Sequence, residues 1–243
     1  MAGKLSGMVC LVAGGTGTVG EGIVRVFLRA GARVVVPSRS AERLAQLRGL
    51  VGGDGGDGAG GLLTLVGDLG TPAGAEALRD EITRQVGPLD AVIASLGGTY
   101  EGRQTLLGAP PEVWREFQDN NLNAHYACAR AFLPMLIERS GTSYTLLGGL
   151  SAVLPIGKYG PVCVNSAAQL MLARVLFEEL KETRVRINQV MFGMVATRSR
   201  TGYAKPQWLT AEEIGEFLAY LVSPEGRMVA NSVLHLGDRP APA

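Results

Sequence analysis

Glycines spaced for a phosphate-binding turn stand near the start of the chain. In LVAGGTGTVGEGI, Gly15, Gly17 and Gly20 form a G-x-G-x-x-G pattern, and Gly14, Gly17 and Gly20 are spaced three apart. An apolar run precedes them and an amphipathic segment follows, which is the strand–turn–helix context that the motif requires. Glycines let the backbone approach a diphosphate, whose charge is stabilised by the helix N-terminus. The pattern predicts a dinucleotide site, and the alternative is a glycine turn that serves packing alone.

The end of the second predicted strand indicates which dinucleotide binds. NAD sites usually carry an acidic residue there, which holds the ribose hydroxyls of the adenosine. Here the strand ends in VVVPSRS, so Ser38, Arg39 and Ser40 stand where the acid is expected. A guanidinium flanked by hydroxyls suits a 2′-phosphate and favours NADP(H) over NAD(H). The alternative is a solvent-exposed arginine that precedes a helix.

The elements that must position these residues follow from apolar periodicity. Short apolar runs alternate with segments of helical spacing, and nearly continuous apolar strands suit a parallel sheet covered on both faces. The alternation predicts an α/β fold, a single doubly wound, Rossmann-like domain over residues 1–243 with a seven-stranded parallel sheet flanked by helices. The predicted strands are 8–14, 32–38, 62–68, 89–97, 143–149, 184–193 and 232–237, and the predicted helices are 19–32, 40–50, 71–87, 110–141, 165–184 and 210–223.

Three helix starts carry capping residues. Ser40, Thr71, and Thr210 with Glu213 three residues later are typical N-caps. Asp68, at the end of the third predicted strand, is placed to accept a hydrogen bond from an adenine amino group. The alternative for Asp68 is that it caps the helix beginning near Thr71.

Composition excludes several function classes. The chain has 243 residues, 47% of them hydrophobic, and a net charge of +1, which argues against a nucleic-acid-binding surface. Cys10, Cys128 and Cys163 lack metal or redox spacing and are predicted to be buried free thiols. The N-terminus predicts neither a signal peptide nor a membrane span, so we expect a soluble cytoplasmic protein with no metal. The Gly/Asp-rich segment 52–61 predicts a mobile surface insert rather than a calcium-binding repeat.

These motifs resemble the short-chain dehydrogenase/reductase family from end to end. The resemblance is carried by CLVAGGTGTVGEGI, VGDL, LDAVIASLGG, VWREFQDNNLNAHYACARAFLPML and RINQVMFGMVATR. Thr18 replaces a glycine of the family's coenzyme loop, and Gly97 alone remains of its Asn-Asn-Ala-Gly segment. The resemblance implies that NADP(H) is held by Gly14, Thr16, Gly17, Val19, Ser38, Arg39, Asp68, Leu69, Gly97, Val195 and Thr197.

The same resemblance implies chemistry by a serine, a tyrosine and a lysine, and this chain has other residues at all three matching positions. A tyrosine has an ordinary pKa near 10, and the family's lysine lowers it while the serine polarises a carbonyl. Matching VNSAAQLML to the family's pattern puts the lysine on Ser166, the tyrosine on Val162 and the serine on Gly149. The segment 160–176, which we expect to begin a long buried helix beside the site, therefore supplies no acid or base.

Neighbouring residues offer substitutes. Asn121 matches the family's active-site asparagine, and Ser151 with Tyr159 and Lys158 are candidates for a rebuilt donor site. The alternative for that loop is a flexible lid with solvated side chains. His125, one turn after Asn121, is interpreted as a hydrogen-bonded core or interface residue.

Several functions remain open at this level. They are an NADP(H)-binding protein with a degenerate oxidoreductase site, an active NADPH-dependent reductase with a non-standard donor such as Tyr159, and a non-redox cyclase, isomerase or small-molecule-binding protein that reuses the cleft. The resemblance also implies a homodimer or homotetramer through the helices from Pro111 and Val164. Residues 197–208 are expected to cover the pocket, and their basic side chains favour either an acidic ligand or a solvated loop.

Overall fold

The computed structural model describes residues 3–52, 61–97 and 104–238, and a parallel seven-stranded sheet forms its centre. The strand order is β3-β2-β1-β4-β5-β6-β9, and a separate parallel pair joins β7 to β8. The predicted parallel sheet is confirmed. The strands are β1 (Val9–Ala13), β2 (Arg33–Ser38), β3 (Leu62–Val66), β4 (Ala91–Ala94), β5 (Ser143–Gly149), β6 (Arg186–Phe192), β7 (Val195–Ala196), β8 (Leu209–Thr210) and β9 (Ser232–Leu236).

Helices cover both faces of the sheet and enclose two apolar cores. One core lies beneath α1, α2 and α7, and the other beneath α3, α5 and α6. Ser40, Thr71 and Thr210 cap their helices as predicted, and Thr210 forms a complete capping box with Glu213. The helices are α1 (Gly20–Arg29), α2 (Ala41–Val51), α3 (Pro72–Val86), α4 (Pro111–Gln118), α5 (Ala124–Ile137), α6 (Gly160–Glu179) and α7 (Ala211–Val222).

Close packing of α1 against α7 fixes the position of β8. A Cβ on Gly22 would lie 2.5 Å from the Cβ of Ala211, so the two helices touch at the residue that follows β8. Glu212 then accepts from Arg25 and Arg29 of α1, at 2.8 Å in each case. The segment 197–208, whose two ends are held together by β7 and β8, therefore begins and ends beside the first turns of α1.

The predicted helix over 110–141 is interrupted. A π-helical turn at Asp119–Asn123 separates α4 from α5. An extra residue in a helical turn leaves the apolar spacing on either side nearly unchanged, so periodicity does not show it.

Helix α6 differs from the prediction at its start. It starts at Gly160 rather than at residue 165, because proline at position 161 is tolerated in a first helical turn. Within one chain five of its twenty residues are buried, so burial of the rest depends on the association of chains that the resemblance implies. Among the described residues, α6 is also the one helix long and apolar enough to cross a membrane, with a mean hydropathy of 1.2. Its buried face packs against the sheet.

The cysteines follow the prediction in two of three cases. Cys10 and Cys128 are buried, whereas Cys163 is half-buried, which corrects the expectation for that residue. Burial raises the pKa of the Cys128 thiol to about 12 and also raises that of Cys10, so neither is a ready nucleophile. Most of the Gly/Asp-rich segment, residues 53–60, lies outside the described residues.

Candidate functional site

The residues assigned to the cofactor and to the reaction come together along the carboxyl edge of the sheet. In open parallel sheets, ligands bind at this edge where the strand order reverses. The reversal lies between β1 and β4, whose following loops are joined by a 2.9 Å hydrogen bond from Ser95 N to Ala13 O. The loops after β2, β3, β5 and β6 extend the same edge on either side.

The turn from β1 to α1 is crowded at its ends and open at its middle. A Cβ on Gly14, where φ is 80°, would lie 2.1 Å from Ser95 O, and one on Gly20 would lie 2.2 Å from Gly14 O. Gly17 is exposed, and a Cβ there would lie 3.2 Å from Gly14 O, a tight contact but a longer one than at Gly14 or Gly20. Val19, which precedes α1, provides no side-chain cap. Packing therefore explains Gly14 and Gly20, whereas the open turn at Gly17 and the uncapped helix fit a diphosphate.

The loop after β2 gathers hydroxyl groups beside an exposed arginine. Thr16 Oγ1 donates to Ser38 Oγ at 3.4 Å, and Ser40 N donates to the same oxygen at 3.3 Å. The side chain of Arg39 is 69% exposed and donates to Asn120 Oδ1 at 3.3 Å. Contacts of an exposed side chain are weak, so a phosphate group can displace them. This cluster fits a 2′-phosphate.

Asp68 follows β3 and does not cap α3. Its Oδ1 accepts from Gly70 N at 2.9 Å, whereas Thr71 caps α3 with its own hydroxyl, so the capping alternative is wrong. Arg39 Nε lies 4.0 Å from the same Asp68 oxygen, which links the loops after β2 and β3. Leu69 beside it is buried.

The π turn brings Asn121 against the loop after β4. Asn121 Nδ2 donates to Phe117 O at 2.8 Å, and a Cβ on Gly97 would lie 2.8 Å from Asn121 Oδ1. The φ of Gly97 is 139°, so both its conformation and the available space exclude a side chain. Two residues from different parts of the predicted site are therefore neighbours.

His125 ties α5 to the same loop. Its Nε2 lies 3.2 Å from Leu96 O, its Nδ1 has no partner among the described residues, and the residue is 2% exposed. Burial lowers the pKa of the imidazole to about 4, although the hydrogen bond to Leu96 opposes that change. The interpretation of His125 as a hydrogen-bonded core residue is confirmed.

The end of β5 and the start of α6 hold a pair of serine hydroxyls. Ser151 Oγ donates to Ser166 Oγ at 3.0 Å. A Cβ on Gly149 would lie 3.1 Å from Ser151 Oγ, and Val162 lies one turn before Ser166 on α6. The positions that the resemblance assigned to serine and lysine are Gly149 and Ser166. Both therefore lie beside the Ser151 hydroxyl.

Tyr159 and Lys158 lie just before α6. Lys158 is exposed and has a left-handed φ of 66°, while the backbone of Tyr159 forms an isolated bridge with Gln104. The hydrogen bond of Ser151 goes to Ser166, a residue that the sequence analysis had not considered as its partner.

The segment after β6 lies close to the same edge. Val195 and Thr197 are buried, and Thr197 Oγ1 lies 3.1 Å from Ser199 Oγ. Arg200 Nη1 donates to Val195 O at 3.3 Å, so this carbonyl is held by the segment that follows it.

An ion pair that the sequence analysis missed joins this segment to α1. Arg198 Nε lies 2.9 Å from both carboxylate oxygens of Glu21, whose side chain is 11% exposed. An acidic residue directly after Gly20 and a basic segment near residue 200 were visible in the sequence. Nothing in their spacing connects two residues that stand 177 positions apart.

Known proteins resemble this chain both in sequence and in fold. Residues 8–208 match the family described as short chain dehydrogenase. Dehydrogenase/reductase SDR family member 4 from Bos taurus is 28% identical over 208 residues, which cover 84% of this chain and 70% of the relative.

Solved structures share the complete fold. A short-chain type dehydrogenase/reductase from Mycobacterium ulcerans has a TM-score of 0.87 at 21% identity, covering 96% of this chain and 89% of that one. An NADPH-bound short chain oxidoreductase from Pseudomonas aeruginosa PAO1, described as containing an atypical catalytic center, has a TM-score of 0.84 at 21% identity and covers 96% of both chains. At these identities the similarity concerns the fold alone.

Proposed function

Because this chain belongs to the short-chain dehydrogenase family, we propose that it binds NADP(H) in a site whose standard carbonyl-reducing residues are degenerate. Members of this oxidoreductase family bind a nicotinamide cofactor and a small-molecule substrate. A bound NADPH supplies a hydride.

The cluster after β2 carries the preference for NADP(H). Ser38, Arg39 and Ser40 present a guanidinium and hydroxyls, with no carboxylate of their own to hold ribose hydroxyls. Arg39 makes long contacts with Asn120 and Asp68, and these are easily exchanged for a phosphate. An NAD-specific site has the opposite charge at this position.

The serine pair carries the second half of the proposal. Ser151 and Ser166 are hydroxyls hydrogen-bonded to each other, and neither serves as a proton donor with a pKa near neutrality. Losing a positioned general acid typically lowers the rate by about 10²–10⁴-fold. The site therefore binds and orients ligands better than it protonates an alkoxide.

Titration of the purified protein with NADPH and NADH tests the proposal. We expect NADPH to bind at least about tenfold more tightly than NADH, because the 2′-phosphate adds charge-assisted hydrogen bonds. Replacing Arg39 with glutamine should abolish that preference. Replacing Arg33 with glutamine is the matched control, because it removes the same charge from the opposite end of β2.

Binding of neither cofactor at millimolar concentration would overturn the proposal. Equal binding of both would leave a nicotinamide site and remove the NADP(H) preference. Consumption of NADPH with simple ketones at rates usual for active reductases would contradict the degenerate site.

A second candidate is an active reductase for strongly electrophilic substrates. The position of Ser151 favours it, because its hydroxyl lies 3.1 Å from where a side chain at Gly149 would begin and is thus placed to polarise a carbonyl. Tyr159 would then supply the proton. A fall in NADPH turnover in both Ser151→Ala and Tyr159→Phe, with unchanged NADPH affinity, would favour this candidate over the degenerate site.

We also propose that the protein is a homodimer or homotetramer. One face of α6 exposes Val164, Met171 and Val175, which are 42%, 55% and 43% exposed and stand at helical spacing. Tyr126 of α5 is 48% exposed as well. A second copy of the chain would cover this apolar surface.

A further inference from the structure

Arg198 lies beside the first turn of α1, which follows the glycine turn proposed to hold a diphosphate. The close contact of α1 with α7 and the pairing of β7 with β8 set the start of segment 197–208 beside the first turn of α1. Glu21 belongs to that turn and binds Arg198 Nε through both carboxylate oxygens. The guanidinium is thus held within one side-chain length of the uncapped helix start.

The contact with Glu21 leaves part of the guanidinium unused. Arg198 donates through Nε, and its Nη1 and Nη2 make no hydrogen bond with the described residues. The side chain is 54% exposed, so these terminal nitrogens are accessible to a ligand. A guanidinium has five N–H donors in a rigid plane and can bind one anion through Nε while it binds a second through its terminal nitrogens.

The charge of Glu21 also requires an explanation. Its carboxylate is nearly buried in the helix turn that would receive a doubly negative diphosphate, and by itself it would repel that ligand. Arg198 neutralises the carboxylate and adds donors on the same side.

We propose that Arg198 binds the diphosphate of the cofactor directly and that Glu21 positions it. The inference rests on the proposed NADP(H) site. It makes segment 197–208 part of the cofactor site as well as a cover for the substrate pocket, and it assigns Glu21 a positioning role.

Binding measurements with Arg198→Gln test the inference. We expect NADPH affinity to fall about tenfold or more, because charge-assisted hydrogen bonds to the diphosphate are lost. Affinity for adenosine 2′-phosphate, which lacks the diphosphate, should not change. Arg227→Gln is the control, because it removes one exposed guanidinium from the turn that follows α7, outside the segments assigned to the site, and should leave both affinities unchanged.

A double variant separates direct contact from charge compensation. Glu21→Gln combined with Arg198→Gln removes both charges of the pair, and we expect NADPH binding to remain weak. Recovery of wild-type affinity in the double variant would show that Arg198 only offsets Glu21, and it would overturn the proposed contact.

The outcomes also distinguish this inference from the proposed function. If the wild-type protein binds NADPH and Arg198→Gln behaves like Arg227→Gln, this inference fails and the proposed function stands. If the wild-type protein binds no nicotinamide cofactor, both fail. Thermal unfolding of the unliganded variants verifies that each protein is folded before it is titrated.

Discussion

His125 shows how burial fixes the protonation of a single residue. Leu96 O accepts a hydrogen from Nε2, so Nδ1 is the nitrogen without a proton, and it is buried with no hydrogen-bond partner in the part of the chain that the structure describes. Adding a proton to Nδ1 would bury an uncompensated charge. Burial consequently lowers the pKa to about 4, from an ordinary value of 6.5 in the unfolded chain.

We expect His125 to make the folded state less stable in acid. Between pH 6.5 and 4 the unfolded chain takes up a proton that the folded chain does not, so the free energy of unfolding falls as the pH is lowered. The contribution of His125 to this fall is at most about 3 kcal/mol. His125→Gln keeps a donor for Leu96 O and removes the titration. Urea unfolding of both proteins at pH 7 and pH 4.5 measures the effect, and an equal pH dependence in the two proteins would contradict it.

Single residues also show how far sequence reasoning reaches into the site. The glycine turn was predictable, because the turn brings Gly20 against the Gly14 backbone and so requires glycines at a fixed spacing. The pairing of Ser151 with Ser166 was not, because it depends on how β5 and α6 meet. The distant pairing of Glu21 with Arg198 depends on how α1 packs against α7 and on the pairing of β7 with β8, which sequence spacing does not show.

At the scale of elements, α1 and α7 meet through small residues. A Cβ on Gly22 would lie 2.5 Å from the Cβ of Ala211 and 2.8 Å from its carbonyl carbon. Further along the same contact, Gly215 lies against Val26, with 3.1 Å from a Cβ on Gly215 to the Val26 side chain. Backbone and branched side chains at such distances cannot move aside easily.

We expect Gly22→Ala to lower the free energy of unfolding by about 1–3 kcal/mol, because the added methyl group forces the two helices apart. Gly49 of α2 provides a matched control, since a Cβ there would meet nothing within 4 Å. Gly49→Ala should raise stability by up to about 1 kcal/mol through helix propensity. Chemical denaturation of both variants tests the contrast. Two changes of the same sign would show that backbone entropy, rather than the helix contact, determines the effect at Gly22.

The elements themselves were largely predictable, because their apolar spacing reflects burial. All seven strands of the sheet and the capped helices lie where the pattern predicted them. The π turn at Asp119–Asn123 and the two-residue strands β7 and β8 were missed. Two residues are too few to show an alternating pattern, and the extra residue of a π turn leaves the apolar spacing on either side nearly unchanged.

At the scale of the whole molecule, α6 presents the largest contradiction between composition and burial. The helix is apolar enough to be a core element, yet Met171 lies 55% exposed at the centre of its outer face. The sequence indicated burial, and the family resemblance implied a second subunit as the covering surface. The proposed association of chains would reconcile the composition of α6 with its exposure.

We expect Met171→Glu to reduce the mass of the assembly in sedimentation analysis, because a carboxylate would be buried in the proposed interface. Met228→Glu is the matched control, since Met228 is 84% exposed in a different region. The mass with Met228→Glu should equal that of the wild type. A monomeric wild-type protein, or an unchanged mass with Met171→Glu, would exclude the α6 face as the interface.

The pairing of β7 with β8 makes segment 197–208 a unit that can be exchanged without changing the rest of the fold. Val195 pairs with Leu209 and Ala196 with Thr210, so both ends of the segment are fixed at one place on the scaffold. The entropic cost of closing a loop rises slowly with its length, so a longer or shorter segment changes the free energy of unfolding little. Because the proposed diphosphate contact of Arg198 and the proposed cover of the substrate pocket both belong to this segment, its exchange during evolution would alter cofactor binding and the choice of substrate in a single step.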